Sequence, residues 1–296
     1  GWAGWGGRAP WAARRWILSG GRTFFRVPWA AFEPGRPYSL IPALSFRQPG
    51  PWNPAGRPLS AFGDPIYNRA DPRRNRLLSL WEARSAAPGL EMPRLAGSGD
   101  EVRAIVRAAR RQGWDASAAT GAEVNLESLR AALRRSSVIH LAGHVFEGLP
   151  GGAASPLLHA APDGVLPRPR EMFLALSLRN GAPELLTSAA VAAALDARGA
   201  LVVLSGCNSG LGDRLPGAGL QGFTSAWLAA GARAAAGALW PVSDGSAAFF
   251  EDFYGRLAAA GGPAEALAAA RRSALAAGGW RARPAAWAGY FVMGND

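Results

Sequence analysis

Cysteine is nearly absent from this chain and lysine is wholly absent. One cysteine, Cys207, stands among 296 residues. It excludes an internal disulfide and any cysteine-based zinc site, and it fits a reducing compartment, with the cytoplasm as the expected location. All 32 basic residues are arginine. Without a lysine there is no Walker-type phosphate loop. No G-x-G-x-x-G follows an early strand, so a dinucleotide-binding fold has no support. No run of 18 or more uncharged apolar residues exists. The most apolar stretch, Ala226 to Val242, is broken by Arg233, so no membrane span and no membrane partner are expected. The start has neither an initiating Met nor the layout of a signal peptide. It reads as the end of a missing upstream region.

What is present suffices for a large core. Hydrophobic residues make up 49% of the chain against 18% charged, which rules out global disorder. The net charge is +11, but most arginines are scattered. The stretch from Gly1 to Phe32 concentrates Arg8, Arg14, Arg15, Arg22 and Arg26 beside five tryptophans, with no acid. Such a mixture can stack on single-stranded nucleic acid. No recognition motif follows it, so residues 1–15 are read as a basic lead-in, and nucleic acid is not an expected partner.

Along the chain, Arg22 to Pro28 reads as a short strand and Leu59 to Pro65 as a strand entering a turn. Asp71 to Gly97 reads as a polar surface excursion. Ser98 and Glu101 have capping-box spacing, which predicts a helix with Val102, Ile105, Val106 and Ala109 on one face, ended by Gly113. Asn125 caps a helix striped by Leu126, Leu129 and Leu133. Val138 to Ala142 is a buried strand. Pro156 to Leu166, with Asp163-Gly164 as the turn, reads as a hairpin. Thr187 caps a helix through Leu195. Ala200 to Ser205 is a continuous β-branched run, as expected of a strand covered on both faces. A Gly-rich loop, a helix to about Ala230 and a strand from Ala234 to Leu239 follow. Asp244 then caps a helix through Leu257, Pro263 opens the last long helix, and Tyr290 to Met293 closes as a strand. The alternation predicts an α/β protein with a largely parallel central sheet.

In such sheets the site lies at the carboxyl ends of the strands. One strand end reads Ile139-His140-Leu141-Ala142-Gly143-His144. The other reads Leu204-Ser205-Gly206-Cys207-Asn208-Ser209-Gly210. As parallel neighbours they would bring His144 beside Cys207, where an imidazole could take the thiol proton. His140, inside the strand, is expected to be structural, and His159 to lie on the hairpin surface. GCNSG is not G-x-S-x-G, so Ser209 is not a hydrolase nucleophile. His140 and His144 lack a third ligand at metal-like spacing, so no metal and no cofactor are expected.

These segments resemble the CHAT domain, a bacterial caspase-like family often attached to tetratricopeptide repeats. The resemblance runs in order through FRVPWAAF, YSLIPALSF, AFGDP, PRLAGSGDEV, VIHLAGH, LTSAAVAAALD, LVVLSGCNSGLG, AWLAAGARAAAGALWPVSD and WAGYFVMGND. It covers residues 16–296 nearly throughout. It implies a caspase-hemoglobinase-like three-layer αβα sandwich and cleavage of a protein or peptide substrate by a His–Cys dyad, here His144 and Cys207. The oxyanion would be held by backbone N–H groups of Cys207 and Val145. A repeat region or partner protein would control the activity. The family usually has Gly where Val145 stands. It also usually has an acid in a GEG-like segment, and here that segment is Gly217-Ala218-Gly219. Asp213 could take the place of that acid. Asp244 is a second candidate for the substrate pocket, against its reading as a helix cap. The alternative to a peptidase is an inactive caspase-like scaffold for protein interaction.

Overall fold

A computed structural model of the chain describes residues 13–19, 22–25, 27–41, 58–74, 92–147, 172–179, 181–205, 219–240 and 245–294. The elements are β1 (Trp16–Leu18), α1 (Arg22–Phe25), α2 (Trp29–Phe32), β2 (Tyr38–Leu40), β3 (Leu59–Gly63), α3 (Ala96–Arg111), β4 (Ala116–Thr120), a 3-10 turn (Gly121–Glu123), α4 (Leu126–Leu133), β5 (Val138–Ala142) and β6 (Val145–Glu147). After them come β7 (Met172–Arg179), β8 (Ala182–Thr187), α5 (Ser188–Ala194), β9 (Leu201–Ser205), α6 (Gly219–Ala229), β10 (Ala234–Ala238), α7 (Ala247–Leu257), α8 (Pro263–Ala277), a 3-10 turn (Gly279–Ala282), α9 (Pro284–Trp287) and β11 (Tyr290–Gly294).

The large sheet has the order β1-β2-β11-β10-β9-β5-β3-β4. From β10 through β4 every pairing is parallel. β11 is antiparallel to β10, and β2 and β1 continue in its direction. Every residue of β3, β5, β9, β10 and β11 is buried, which requires cover on both faces.

Crossover handedness supplies that cover. The step β3→β4 runs toward one edge of the sheet, while β4→β5, β5→β9 and β9→β10 run toward the other. Right-handed crossovers therefore place α3 on one face and α4, α5 and α6 on the opposite face. α7 packs against α3 and α8 against α7, completing the first layer. The protein is thus an αβα sandwich around a mostly parallel sheet. A second, antiparallel sheet, β6-β7-β8, is inserted between β5 and α5.

The local signals that hold are those with an immediate partner. Asn125 accepts the Ser128 N–H at 2.9 Å and Thr187 Oγ1 the Ala190 N–H at 2.9 Å, so both caps form as expected. Val102, Ile105, Val106 and Ala109 are all buried, and Gly113, at φ 80°, turns the chain after α3.

Three expectations fail. Arg22 to Phe25 is helical, because Phe24 folds back onto Trp29 with ring centroids 4.7 Å apart; the strand of this region is Trp16–Leu18. Ser98 and Glu101 do not form a capping box. α3 starts two residues before Ser98, whose hydroxyl instead bridges the Leu95 carbonyl and the Asp64 N–H, and Glu101 points into the core. Ser246, not Asp244, precedes the first turn of α7. Of the segment read as surface, Asp71 to Gly97, residues 75–91 lie outside the described residues; the rest is mostly exposed or half-exposed, anchored by buried Asp71, Met92 and Leu95. The hairpin expected at Pro156 to Leu166 and His159 lie outside the described residues. The hairpin that is seen is β7–β8.

Candidate active site at the carboxyl end of the sheet

β5 and β9 are adjacent and parallel, with Ala142 opposite Ser205. The pairing persists one step further, since Gly143 N–H donates to the Ser205 carbonyl at 3.2 Å. His144 follows at once and is 4% exposed. It is held on every side. Its N–H donates to Tyr67 Oη at 3.0 Å, and its carbonyl accepts the Ala175 N–H at 2.9 Å. Its ring lies against the Tyr67 ring, centroids 4.8 Å apart. Its Nε2 is 2.8 Å from the Pro93 carbonyl oxygen. A carbonyl only accepts, so Nε2 carries the proton of the neutral ring and Nδ1 carries the lone pair.

Gly143 is needed here for space. A Cβ at that position would stand 2.9 Å from Tyr67 Oη, the atom that holds His144 N–H.

Val145 opens β6, opposite Leu174 of β7. Because Ala175 N–H bonds the His144 carbonyl, the hydrogen-bonded pairs of this ladder alternate on either side of Val145. Val145 and Leu174 are therefore a non-hydrogen-bonded pair, with their N–H groups directed away from each other. β6 has no other neighbour in its sheet among the described residues. The Val145 side chain is buried, 2% exposed; its isopropyl group serves the core and leaves the outward N–H unobstructed by β7.

The Pro93 carbonyl belongs to a segment tied to the end of β3. There Asp64 has φ 50°, the one positive φ on a non-Gly residue among the described residues, a conformation that costs energy unless its surroundings impose it. Arg94 grips the Asp64 carboxylate with two bonds, Nε to Oδ1 at 2.8 Å and Nη2 to Oδ2 at 2.7 Å. Arg73 Nη1 reaches Oδ2 of the same carboxylate at 2.8 Å. Arg73 also holds Asp71, and this bond is the main cause of an Asp71 pKa below the usual carboxylate range.

One strand turn before His144, His140 is fully buried, as its reading as a structural residue requires. Its Nε2 lies 2.7 Å from Glu101 Oε1 and its Nδ1 3.0 Å from Tyr254 Oη. Ser246 Oγ donates to the other oxygen of Glu101. Burial, with the Glu101 carboxylate nearby, raises the Tyr254 pKa well above its ordinary value. The phenol therefore stays protonated and donates to Nδ1, while Nε2–H donates to Glu101. Every side chain in this chain of bonds has a partner; His140, Glu101 and Tyr254 are buried and Ser246 is half-buried.

Of the residues singled out in the sequence, the structure brings His144 and Val145 together at the end of β5. Cys207, Asp213 and Asp244 lie outside the described residues. Tyr67, Asp64, Pro93 and Arg94 were not singled out as site residues. The only trace of Asp64, Pro93 and Arg94 was their membership of the AFGDP and PRLAGSGDEV segments, and Tyr67 lies in neither. Among the described residues no group of three His, Cys, Asp or Glu could hold a metal, and no helix is long and apolar enough to cross a membrane.

The mostly parallel sheet between two helical layers, with a His-bearing loop at its carboxyl edge, defines a caspase-like α/β domain. The family model of the CHAT domain matches residues 16–295. The chain belongs to that family, a caspase-like peptidase family. No curated protein matches it.

Proposed function

We propose that the chain is a cysteine endopeptidase that cleaves a protein or peptide substrate with His144 as base and Cys207 as nucleophile. The observation that carries this reading is the hydrogen bond from His144 Nε2 to Pro93, which commits Nδ1 to the role of proton acceptor. Register supports it. His144 stands two residues past Ala142, and Cys207 two residues past Ser205 in the sequence, on strands paired Ala142 to Ser205.

The steps follow from the groups. Nδ1 takes the Cys207 thiol proton, and the thiolate attacks the scissile carbonyl carbon. The negative charge on the carbonyl oxygen is met by backbone N–H groups, with Val145 and Cys207 as the donors. The intermediate collapses, the C–N bond breaks, and His144 gives its proton to the leaving amine. Water, deprotonated by His144, then hydrolyses the thioester and restores the thiol. Asp213 and Asp244 remain candidates for the pocket that receives the side chain before the cut. Control by an attached repeat region or a partner protein is part of the same proposal.

The test is cleavage of a diverse peptide library by the chain beside Cys207→Ala and His144→Ala. Cutting by the parent and silence of both variants supports the dyad. No cutting by the parent, together with a Cys207 no more reactive than a free thiol, favours a scaffold for protein interaction.

A further inference from the structure

We propose that Asp64 and Arg94 form a positioning pair, which fixes the imidazole of His144 through the Pro93 carbonyl oxygen. The inference rests on the reading of His144 as the base of the dyad.

A hydrogen bond to a backbone carbonyl orients an imidazole only as well as that carbonyl is itself held. Three constraints hold this one. The Pro93 ring fixes φ, leaving ψ as the soft torsion that aims the carbonyl. The next residue, Arg94, is gripped by Asp64 through two parallel bonds of 2.8 and 2.7 Å, a fork that sets orientation as well as distance. The residue after that, Leu95, gives its carbonyl to Ser98 Oγ at 2.6 Å, and the same hydroxyl accepts the Asp64 N–H at 2.8 Å. Both residues following Pro93 are thus fastened to one point, Asp64, at the end of β3.

Asp64 is itself over-determined. Its side chain is 5% exposed. Its positive φ is imposed where β3 meets α3 so closely that a Cβ on Gly63 would stand 2.5 Å from the Ser98 carbonyl oxygen. β3 pairs directly with β5, so the anchor and the base sit on neighbouring strands. The fold needs only one of the two guanidiniums to neutralise the Asp64 carboxylate, and Arg73 does so at 2.8 Å. Arg94, with 45% of its side chain exposed, contributes little burial. Its two-pronged contact therefore serves alignment more than stability.

The pair is tested on the 296-residue chain with Arg94→Gln, Arg94→Lys and, as a control, Arg103→Gln, which removes an exposed ion pair to Asp100 on α3. Three quantities are read: the rate of Cys207 alkylation by iodoacetamide, the ring nitrogen-15 shifts of His144, and the melting temperature. The expected result for Arg94→Gln is alkylation slower by about tenfold. Its His144 shifts move from the Nε2–H form toward averaged tautomers, with little change in melting. Arg94→Lys recovers part of both effects, and Arg103→Gln changes neither. An Arg94→Gln variant with parental alkylation and parental shifts overturns the inference, as does an equal loss in Arg103→Gln. If parent and His144→Gln alkylate at the same rate, it is the dyad reading that fails. The nitrogen shifts then decide the positioning pair alone, and an Nε2–H form retained in Arg94→Gln overturns it.

Discussion

His144 Nε2 donates to the carbonyl oxygen of Pro93, a residue 51 positions earlier in the chain, at 2.8 Å. The bond ties the loop that leaves β5 to the segment that enters α3. It fixes the tautomer of the imidazole through a backbone carbonyl.

Gly143 keeps that arrangement open. Gly143→Ala would place a Cβ 2.9 Å from Tyr67 Oη, displacing the hydroxyl that holds His144 N–H. The expected outcome is a loss of about 1–3 kcal/mol of stability, with Cys207 alkylation slowed even at temperatures where the variant is fully folded. Denaturant unfolding and alkylation kinetics on one preparation separate the two effects; an unaltered alkylation rate would show that Tyr67 does not position His144.

The Asp71–Arg73 pair sets part of the acid limb of stability. Arg73 Nε and N–H both bond Asp71 Oδ1, each at 2.9 Å, and the guanidinium holds the carboxyl below its usual range. A depressed native pKa means that the unfolded chain takes the proton more readily. The stabilisation is therefore complete above the unfolded value of about 3.9 and fades as pH falls through the lower native value. Asp71→Asn should cost about 2 kcal/mol at pH 7, and the gap between variant and parent should close by about pH 2–3. Urea midpoints measured across that range check it; a gap independent of pH would contradict the assignment.

The Tyr254–His140–Glu101–Ser246 chain makes a prediction of the opposite kind. Tyr254→Phe leaves His140 Nδ1 buried without its donor and should destabilise by about 1–3 kcal/mol. Peptide cleavage and Cys207 alkylation by the folded variant should match the parent, because the bonds of these groups run among themselves and do not reach His144. A variant with parental stability but altered catalysis would reverse that assignment.

Arg271 is fully buried, yet it has no acidic partner among the described residues. Its Nη2 donates to the Tyr290 carbonyl at 2.7 Å, and the guanidinium lies over the Tyr38 ring at 4.8 Å. Among the described residues Nε and Nη1 find no acceptor, and burial lowers the pKa of the group. A charge desolvated so incompletely compensated is a cost. Arg271→Met should leave stability unchanged or raise it by about 1–2 kcal/mol. A loss of similar size in calorimetry would mean that the guanidinium supports more than these contacts.

The parts of the fold legible in the sequence are those whose signal is local or compositional. The continuous apolar runs Val138 to Ala142 and Leu201 to Ser205 could be little else than central strands, and Asn125 and Thr187 cap helices with their own side chains. β4 carries only Ala, Ser and Thr, too weak a pattern to read. The β7–β8 hairpin does carry an Asn180-Gly181 turn signal between apolar runs, but the competing Asp163-Gly164 pattern drew the hairpin earlier. Glu101 shows the limit most plainly. Its spacing from Ser98 mimics a cap, and only the approach of β5 reveals that its carboxylate belongs to His140. In the site, His144 was legible from its place past a strand. Pro93, Tyr67, Asp64 and Arg94 were not, since their roles come from contacts between residues 30 to 77 positions apart.

The single cysteine makes the central claim directly measurable, since any thiol modification reports Cys207 alone. The measurement is the second-order rate of Cys207 with an electrophilic peptide at neutral pH, in the parent and in His144→Gln. The account predicts that the parent reacts at least about a hundredfold faster than a free thiol, and that His144→Gln loses most of this advantage. Equal rates for parent, variant and free thiol would contradict the dyad and with it the peptidase.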